Sequence, residues 1–312
     1  MSIAHSAKIA ASSKRPCSMN PGIGYALAAY LLWGLLPIYL YLLAPVAATE
    51  ILAHRIVWSL ATMAILLVGL RRLQWIRTVL ATPVALGRFA LTAVLISVNW
   101  MLYIWSINSG HVIDSSLGYF INPLVNVLLG ALLLKERLRF GQKLPIVLAA
   151  LGVAWLTWQA GAPPWIGLVL ALSFSLYGLL RKTAALGALE GFTIEAALLT
   201  PLALGYLLWL AASGNLGFLN SSTQVRWLLV AAGPVTTVPL LLFAAGARRI
   251  SFSLLGVLQY LAPTLQWLTG IFFFHEPFDP HKAIGFGFIW LALLLFAAEG
   301  AWFGWQRARY AA

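Results

Sequence analysis

LGYFINPLVNVLLGALLLKERLRF, residues Leu117 to Phe140, carries a proline in mid-run, a glycine seven residues later and a glutamate six after that: Pro123, Gly130 and Glu136. Pro263, Gly270 and Glu276 repeat that order and spacing at an offset of 140 residues. Working outward, Trp33 before Gly34-Leu35-Leu36 is answered by Tyr177 before Gly178-Leu179-Leu180, and Glu50 opens an apolar run as Glu195 does later. Three ordered matches without a relative gap predict that the chain is two copies of one unit. A proline at the same place in two long apolar segments of two halves also points to a transporter site formed by interrupted helices.

The composition fixes the class. At 62% apolar and 9% charged residues, the chain has too few charges to cover a soluble surface, for which about a quarter of residues are charged. A membrane-spanning helix needs about 20 mainly apolar residues. Segments 22–43, 50–70, 88–107, 115–134, 144–160, 165–181, 193–212, 226–245, 251–274 and 282–305 are read as spans. The expectation is an all-α integral membrane protein with ten transmembrane helices in two inverted five-helix repeats, 22–160 and 165–305. Residues 1–21 read as a flexible cytoplasmic arm without the apolar core of a secretory signal, with Met19 as a second candidate start. Residues 306–312 read as a cytoplasmic tail. The basic stretch Arg71 to Arg88, with Trp75, Ile76 and Val79 among its arginines, reads as a segment lying on the membrane.

Charge gives the orientation. With the N-terminus inside, all but three of the 20 Lys and Arg residues fall in alternate, inner segments; Arg226 and Lys282 fall outside and Arg55 within a span. Positive charge gathers on the cytoplasmic side of membrane proteins, so both termini are expected there and the net charge of +12 is topogenic. A nucleic-acid partner would need a basic domain that is absent. Five helices per repeat invert the second copy relative to the first. Two inverted units have two near-equivalent packings around a site at their interface, the basis of alternating access.

EILAHRIVWS (Glu50 to Ser59), the block Ser116 to Arg139, LALSFSLYGLLRK (Leu170 to Lys182) and VTTVPLLLF (Val235 to Phe243) resemble RarD-type permeases of the EamA family, in the drug/metabolite transporter superfamily. The resemblance covers nearly all of residues 22–305. It implies a bacterial inner-membrane transporter, a central cavity for a small metabolite or drug, and export; such permeases carry a chloramphenicol-sensitivity or resistance label.

Ionisable groups at a helix centre cost about 2.5–3.5 kcal/mol each on insertion scales, so the few present are functional candidates. Glu50, His54 and Arg55 open the second span, and i,i+4 spacing sets Glu50 and His54 on one face. A histidine beside a carboxylate can titrate near neutral pH and couple protons to substrate. The competing reading pairs Arg55 with Glu50 or with Asp114, at the same outer level, as a lock at the outer gate. A mid-helix proline frees the carbonyl four residues back, which Pro123 does for Tyr119 and Pro263 for Gln259. Tyr119, Asn122 and Asn126 in one copy, with Gln259, Tyr260 and Gln266 in the other, would then line a polar midplane. The alternative is interhelical bonding, at about 0.6–2 kcal/mol per bond. Asn99, Trp100 and Tyr103 of the third span, Tyr177 of the sixth and Thr237 of the eighth complete the candidate site. Aromatic walls with a few amides and hydroxyls suit an amphipathic or aromatic small molecule. The resemblance implies that Glu136 and Glu276 fix the turn into the next helix, with backbone donors and cations such as Arg137 and His281 as partners.

Enzyme chemistry lacks its motifs: the chain has no P-loop, no G-x-S-x-G and no Cys/His cluster, and Cys17 is its single cysteine. No cofactor or metal is expected. Uphill transport would draw on an ion or exchange gradient, protons first. A channel or a scaffold is the first alternative, and an intramembrane enzyme built on Glu50, His54 and Arg55 the next; a channel would want a continuous polar stripe, whereas the polar residues here sit in mirrored pairs.

Overall fold

Proline and cap chemistry decides where the first helix starts. Asn20 accepts the N–H of Gly22 at 2.8 Å while Pro21 occupies the first helical position, where its missing N–H costs nothing. Ser222 and Ser251 likewise accept N–H groups of Val225 and Leu254 at later helix starts. The computed structural model describes residues 20–71, 75–76, 83–108, 112–160, 165–273, 275 and 280–310, with no strand among them. The helices are α1 (Pro21–Tyr41), α2 (Ala48–Gly69), α3 (Pro83–Asn108), α4 (Val112–Leu132), α5 (Phe140–Ala160), α6 (Trp165–Thr183), α7 (Ala188–Ala212), α8 (Gly217–Asn220), α9 (Thr223–Ala247), α10 (Phe252–Gln259), α11 (Leu261–Phe272) and α12 (Pro280–Tyr310).

Among the described residues 8 helices are long and apolar enough to cross a membrane. Two of the ten expected spans are not among them. The described apolar part of α4 is the shorter stretch Gly118–Leu132, and segment 251–274 is broken at Tyr260 into α10 and α11. Pro263 falls in the first turn of α11, where no helical bond is lost, so the break precedes the proline. Pro123, by contrast, stays inside the continuous α4. Pro83 to Arg88, expected to lie on the membrane, form the first turns of α3. Trp75 packs beside Phe89 and Ile194. Helix α12 runs through the segment read as a tail, to Tyr310.

The outer surface is apolar: Ile65 is 74% and Leu202 76% exposed, which lipid tolerates and water does not. Nearly all the extensive helix pairings join the first half to the second: α1 with α9 and α11, α2 with α7 and α9, α3 with α6 and α7, α4 with α6 and α10, α5 with α12. Glycines allow the closest of these. A Cβ on Gly152 would meet the Gly285 carbonyl at 2.8 Å, which sets α5 against α12, and one on Gly256 would meet the Pro123 carbonyl at 2.7 Å. Without burial from water to drive them together, membrane helices associate through this kind of close backbone packing.

Candidate functional site

Between the two halves lies a cavity of about 100 Å³. Tyr30, Trp33, Leu36, Pro37 and Leu40 of α1 line it, with Arg55 of α2, Asn99, Trp100 and Tyr103 of α3, and Gly118, Tyr119 and Asn122 of α4. The second half contributes Leu170 and Phe174 of α6, Leu240 of α9, Gln259 of α10, and Ala262, Pro263 and Gln266 of α11. Arg55 is the one charged side chain among these. Its Nε donates to Thr236 Oγ1 at 2.9 Å, and its guanidinium carbon stands 4.9 Å from the centre of the Trp100 ring, within the range of a cation–π contact.

Each amide of the lining is half committed. Asn99 Nδ2 donates to the Leu170 carbonyl and to Ser173 Oγ, both at 2.9 Å. Asn122 Oδ1 accepts from Ser175 Oγ at 3.2 Å, Gln259 Oε1 accepts from Asn126 Nδ2 at 2.9 Å, and Gln266 Nε2 donates to the Trp33 carbonyl at 3.1 Å. Asn122 and Gln259 therefore keep their N–H groups for the cavity, beside the second lone pair of each amide oxygen. Aromatic rings form the walls: Tyr103 and Tyr119 meet edge to face at 5.6 Å, as Trp33 and Phe174 do at 5.7 Å.

Four of the expected lining residues point elsewhere. Asn126 bonds Gln259 behind the wall, Tyr177 turns its hydroxyl to Glu195, Thr237 is fully buried, and Tyr260 packs among Phe120, Phe286 and Ile289. Trp33 and Phe174 line the cavity without having been read as site residues. Trp33 belongs to the duplicated aromatic-glycine pair, which was the available signal.

A family model, the EamA-like transporter family, matches residues 20–158. Protein RarD of Streptomyces exfoliatus is 48% identical over 274 residues, covering 88% of this chain and 87% of its own. The chain is a RarD-type permease of the EamA-like family. An uncharacterized transporter of Pseudomonas aeruginosa is 47% identical over 285 residues, covering 91% of this chain and 95% of its own. A crystal structure of a protein 19% identical covers 89% of this chain and 98% of its own with a TM-score of 0.66, and shares the fold. Family membership makes the chain a multi-pass membrane transporter and not an enzyme.

At the start of α2 of this permease, the Glu50 carboxylate is held by backbone donors: the N–H groups of Gly217 and Phe218 reach it at 2.9 and 2.8 Å. His54 Nε2 stands 3.6 Å from Glu50 Oε1, and His54 Nδ1 accepts from Trp58 Nε1 at 3.2 Å. The expected face is formed, and Arg55 does not pair with Glu50: it lines the cavity, while its other expected partner, Asp114, has its side chain outside the described residues. Glu276 and Cys17 also fall outside them.

Glu136 is held by backbone donors, but they belong to a distant helix rather than to the turn that follows it, and among the described residues no ion pair joins it to Arg137. It reaches the N-terminus of α10, accepting from Phe252 N, Ser253 N and Ser253 Oγ at 2.6, 3.0 and 2.8 Å. A carboxylate is favoured at a helix N-terminus by the unpaired N–H groups and the helix dipole. Gly130 makes room for it, since a Cβ there would meet Glu136 Oε2 at 2.8 Å. That contact explains the glycine–glutamate spacing of the motif.

A buried cluster that the sequence did not disclose lies behind Trp100. Glu195 accepts from Thr92 Oγ1 at 2.6 Å and from Tyr177 OH at 3.2 Å, and Arg181 Nη1 stands 3.7 Å from it. Arg181 and Glu195 are each 1% exposed. Charge counting places Arg181 in an inner loop, whereas it lies in the last turn of α6, inside the protein. Its neighbour Lys182 is also engaged, donating to the carbonyls of Ala247 and Ile250 at 2.9 and 2.5 Å.

Proposed function

We propose that this permease is a secondary active transporter that exports a small organic molecule across the bacterial inner membrane by alternating access around the central cavity. The observation that carries the reading is the origin of the lining, which comes from α1 to α4 in the first half and from α6, α9, α10 and α11 in the second. A site built between two halves opens to either side as the halves rock. Two features support an inverted repeat with ten membrane segments. Lys135 and His275, at the motif's offset, both take left-handed backbone, with φ of 53° and 54°. The pairings of α1 with α9 and α11 are also mirrored by those of α6 with α3 and α4. Export, cytoplasmic termini and drug-type cargo rest on the resemblance and on the charge pattern.

A thermal-shift screen of the purified protein against amphenicols, nucleosides, organic acids and amino acids tests the site. A ligand at 100 times its dissociation constant stabilises the folded state by about 2.7 kcal/mol. At least one compound is expected to raise the melting temperature, and Asn122→Ala is expected to abolish that rise. A rise undiminished in Asn122→Ala moves the site away from the cavity, and no rise with any compound favours a scaffold.

Protons are the proposed coupling ion, taken up at Glu50 and His54. A protonated Glu50 loses its charge and one acceptor oxygen, which weakens its hold on the N–H groups of Gly217 and Phe218 and loosens the short α8. In proteoliposomes carrying a pH gradient, Glu50→Gln is expected to remove the gradient's effect on transport of the screened ligand. Unchanged, gradient-driven transport in that variant would end the assignment.

A further inference from the structure

We propose that the central cavity selects an organic monoanion, a carboxylate carried on an aromatic body, with Arg55 as the residue that holds the carboxylate; the proposal rests on the reading of the cavity as the transport site. Charge is the first argument. Among the described residues lining the cavity there is one cation and no Asp or Glu. A guanidinium in a membrane-embedded site is costly, and a bound anion offsets that cost each time the site fills. A zwitterion would bring an ammonium group for which the described lining holds no carboxylate, so a simple acid fits better than an amino acid.

Geometry is the second. Arg55 is fixed through Nε by Thr236 and lies over Trp100, so the planar fork is held before any ligand arrives. The two Nη groups of an arginine match the two oxygens of a carboxylate. Two of the four lining amides are set the same way: Asn122 and Gln259 have their carbonyl oxygens engaged by Ser175 and Asn126, which leaves N–H for an acceptor, whereas Asn99 and Gln266 are engaged through their own N–H groups. Trp33, Phe174, Tyr103 and Tyr119 then supply faces and edges for a ring. Neutral drugs of the amphenicol type would bring no counter-ion to Arg55, which has none among the described residues of the lining.

The test uses acid and amide pairs of one shape: benzoate with benzamide, 3-phenylpropionate with its amide, and indole-3-acetate with its amide. Binding to the purified full-length protein is read by thermal shift and by Trp fluorescence. For at least one pair the acid is expected to bind about tenfold more tightly or better, the effect of one charge-assisted hydrogen-bonded contact. Arg55→Gln is expected to erase that preference while amide binding persists, which also reports a folded cavity, and Arg55→Lys to keep part of it. Equal binding of acid and amide in every pair, or an acid preference that survives Arg55→Gln, overturns the proposal. A neutral or cationic hit lost in Asn122→Ala would leave the cavity standing as the transport site and overturn the anion assignment alone.

Discussion

Arg181→Met is expected to destabilise the folded permease by about 3–5 kcal/mol, the cost of leaving one member of a buried ion pair without the other. Glu195 is almost wholly buried, and after the substitution its remaining partners are the hydroxyls of Thr92 and Tyr177. Two hydroxyls do not neutralise a charge. Arg181 is itself only partly satisfied: Nη2 donates to the Ala188 carbonyl at 2.7 Å, while Nε and Nη1 find no hydrogen-bond partner among the described residues. Its guanidinium also stands 5.8 Å from the centre of the Phe89 ring. The pair is therefore one unit whose members are worth little separately. Arg181→Met combined with Glu195→Gln is expected to recover most of the loss, because neutral side chains of similar volume replace buried ion pairs at little cost. The apparent melting temperature in detergent reads both variants. Losses that simply add in the double variant would show that the two charges are not coupled.

Glu136→Ala comes second in size. The carboxylate accepts two backbone N–H groups and a hydroxyl at the start of α10, and a hydrogen bond to a charged group is worth about 1.5–3 kcal/mol. Ser251 continues to cap Leu254, so α10 survives while its first N–H groups lose their acceptor. A fall in melting temperature of the size expected for about 1.5–3 kcal/mol is predicted, with Glu136→Gln intermediate because it keeps one acceptor oxygen and loses the charge. Gly130→Ala should reproduce much of the effect with the acid intact, since the new methyl would stand 2.8 Å from Oε2 and 3.0 Å from Ser253 Oγ and push the two apart from where they now sit. Since α10 delivers Gln259 to the cavity, the ligand-induced shift should weaken in the same variants. A Glu136→Ala protein as stable as the parent would mean that the N-terminus of α10 is satisfied by other groups.

The motif that discloses the repeat in the sequence is local chemistry, which is why it can be read there. Gly130 and Glu136 must share a small space, and Lys135 must turn left-handed between them; the spacing records those needs. The identity of the donors is not local. Phe252 and Ser253 lie 116 and 117 residues away, and nothing in LLGALLLKER names them. The same limit governs the charges. Arg181 and Lys182 follow an apolar run and precede a turn, so charge counting puts both in a loop, whereas packing takes one inside and aims the other at the end of α9. Arg55, adjacent to Glu50 and His54 in sequence, points to a different neighbourhood because consecutive helical residues do not share a face. Asn122 and Asn126 share a face, yet only Asn122 opens on the cavity; Asn126 is one turn further on, where α10 crosses close over Gly256 and covers it. Prolines alone did not fix where a helix breaks either: Pro123 stays in a continuous helix and Pro263 follows a break.

The interlocking of the two halves sets an order of events at the ribosome. The Glu136 carboxylate is made well before the donor groups on α10 that it will bind, and at about 5–20 residues per second the wait is roughly 6–25 s. During that interval α1 to α5 lack nearly all the neighbours against which they finally pack. The newborn first half must be shielded by lipid and by the insertion machinery, and a polypeptide released near residue 160 would present its bare glycine seams to the proteases that clear orphan membrane segments.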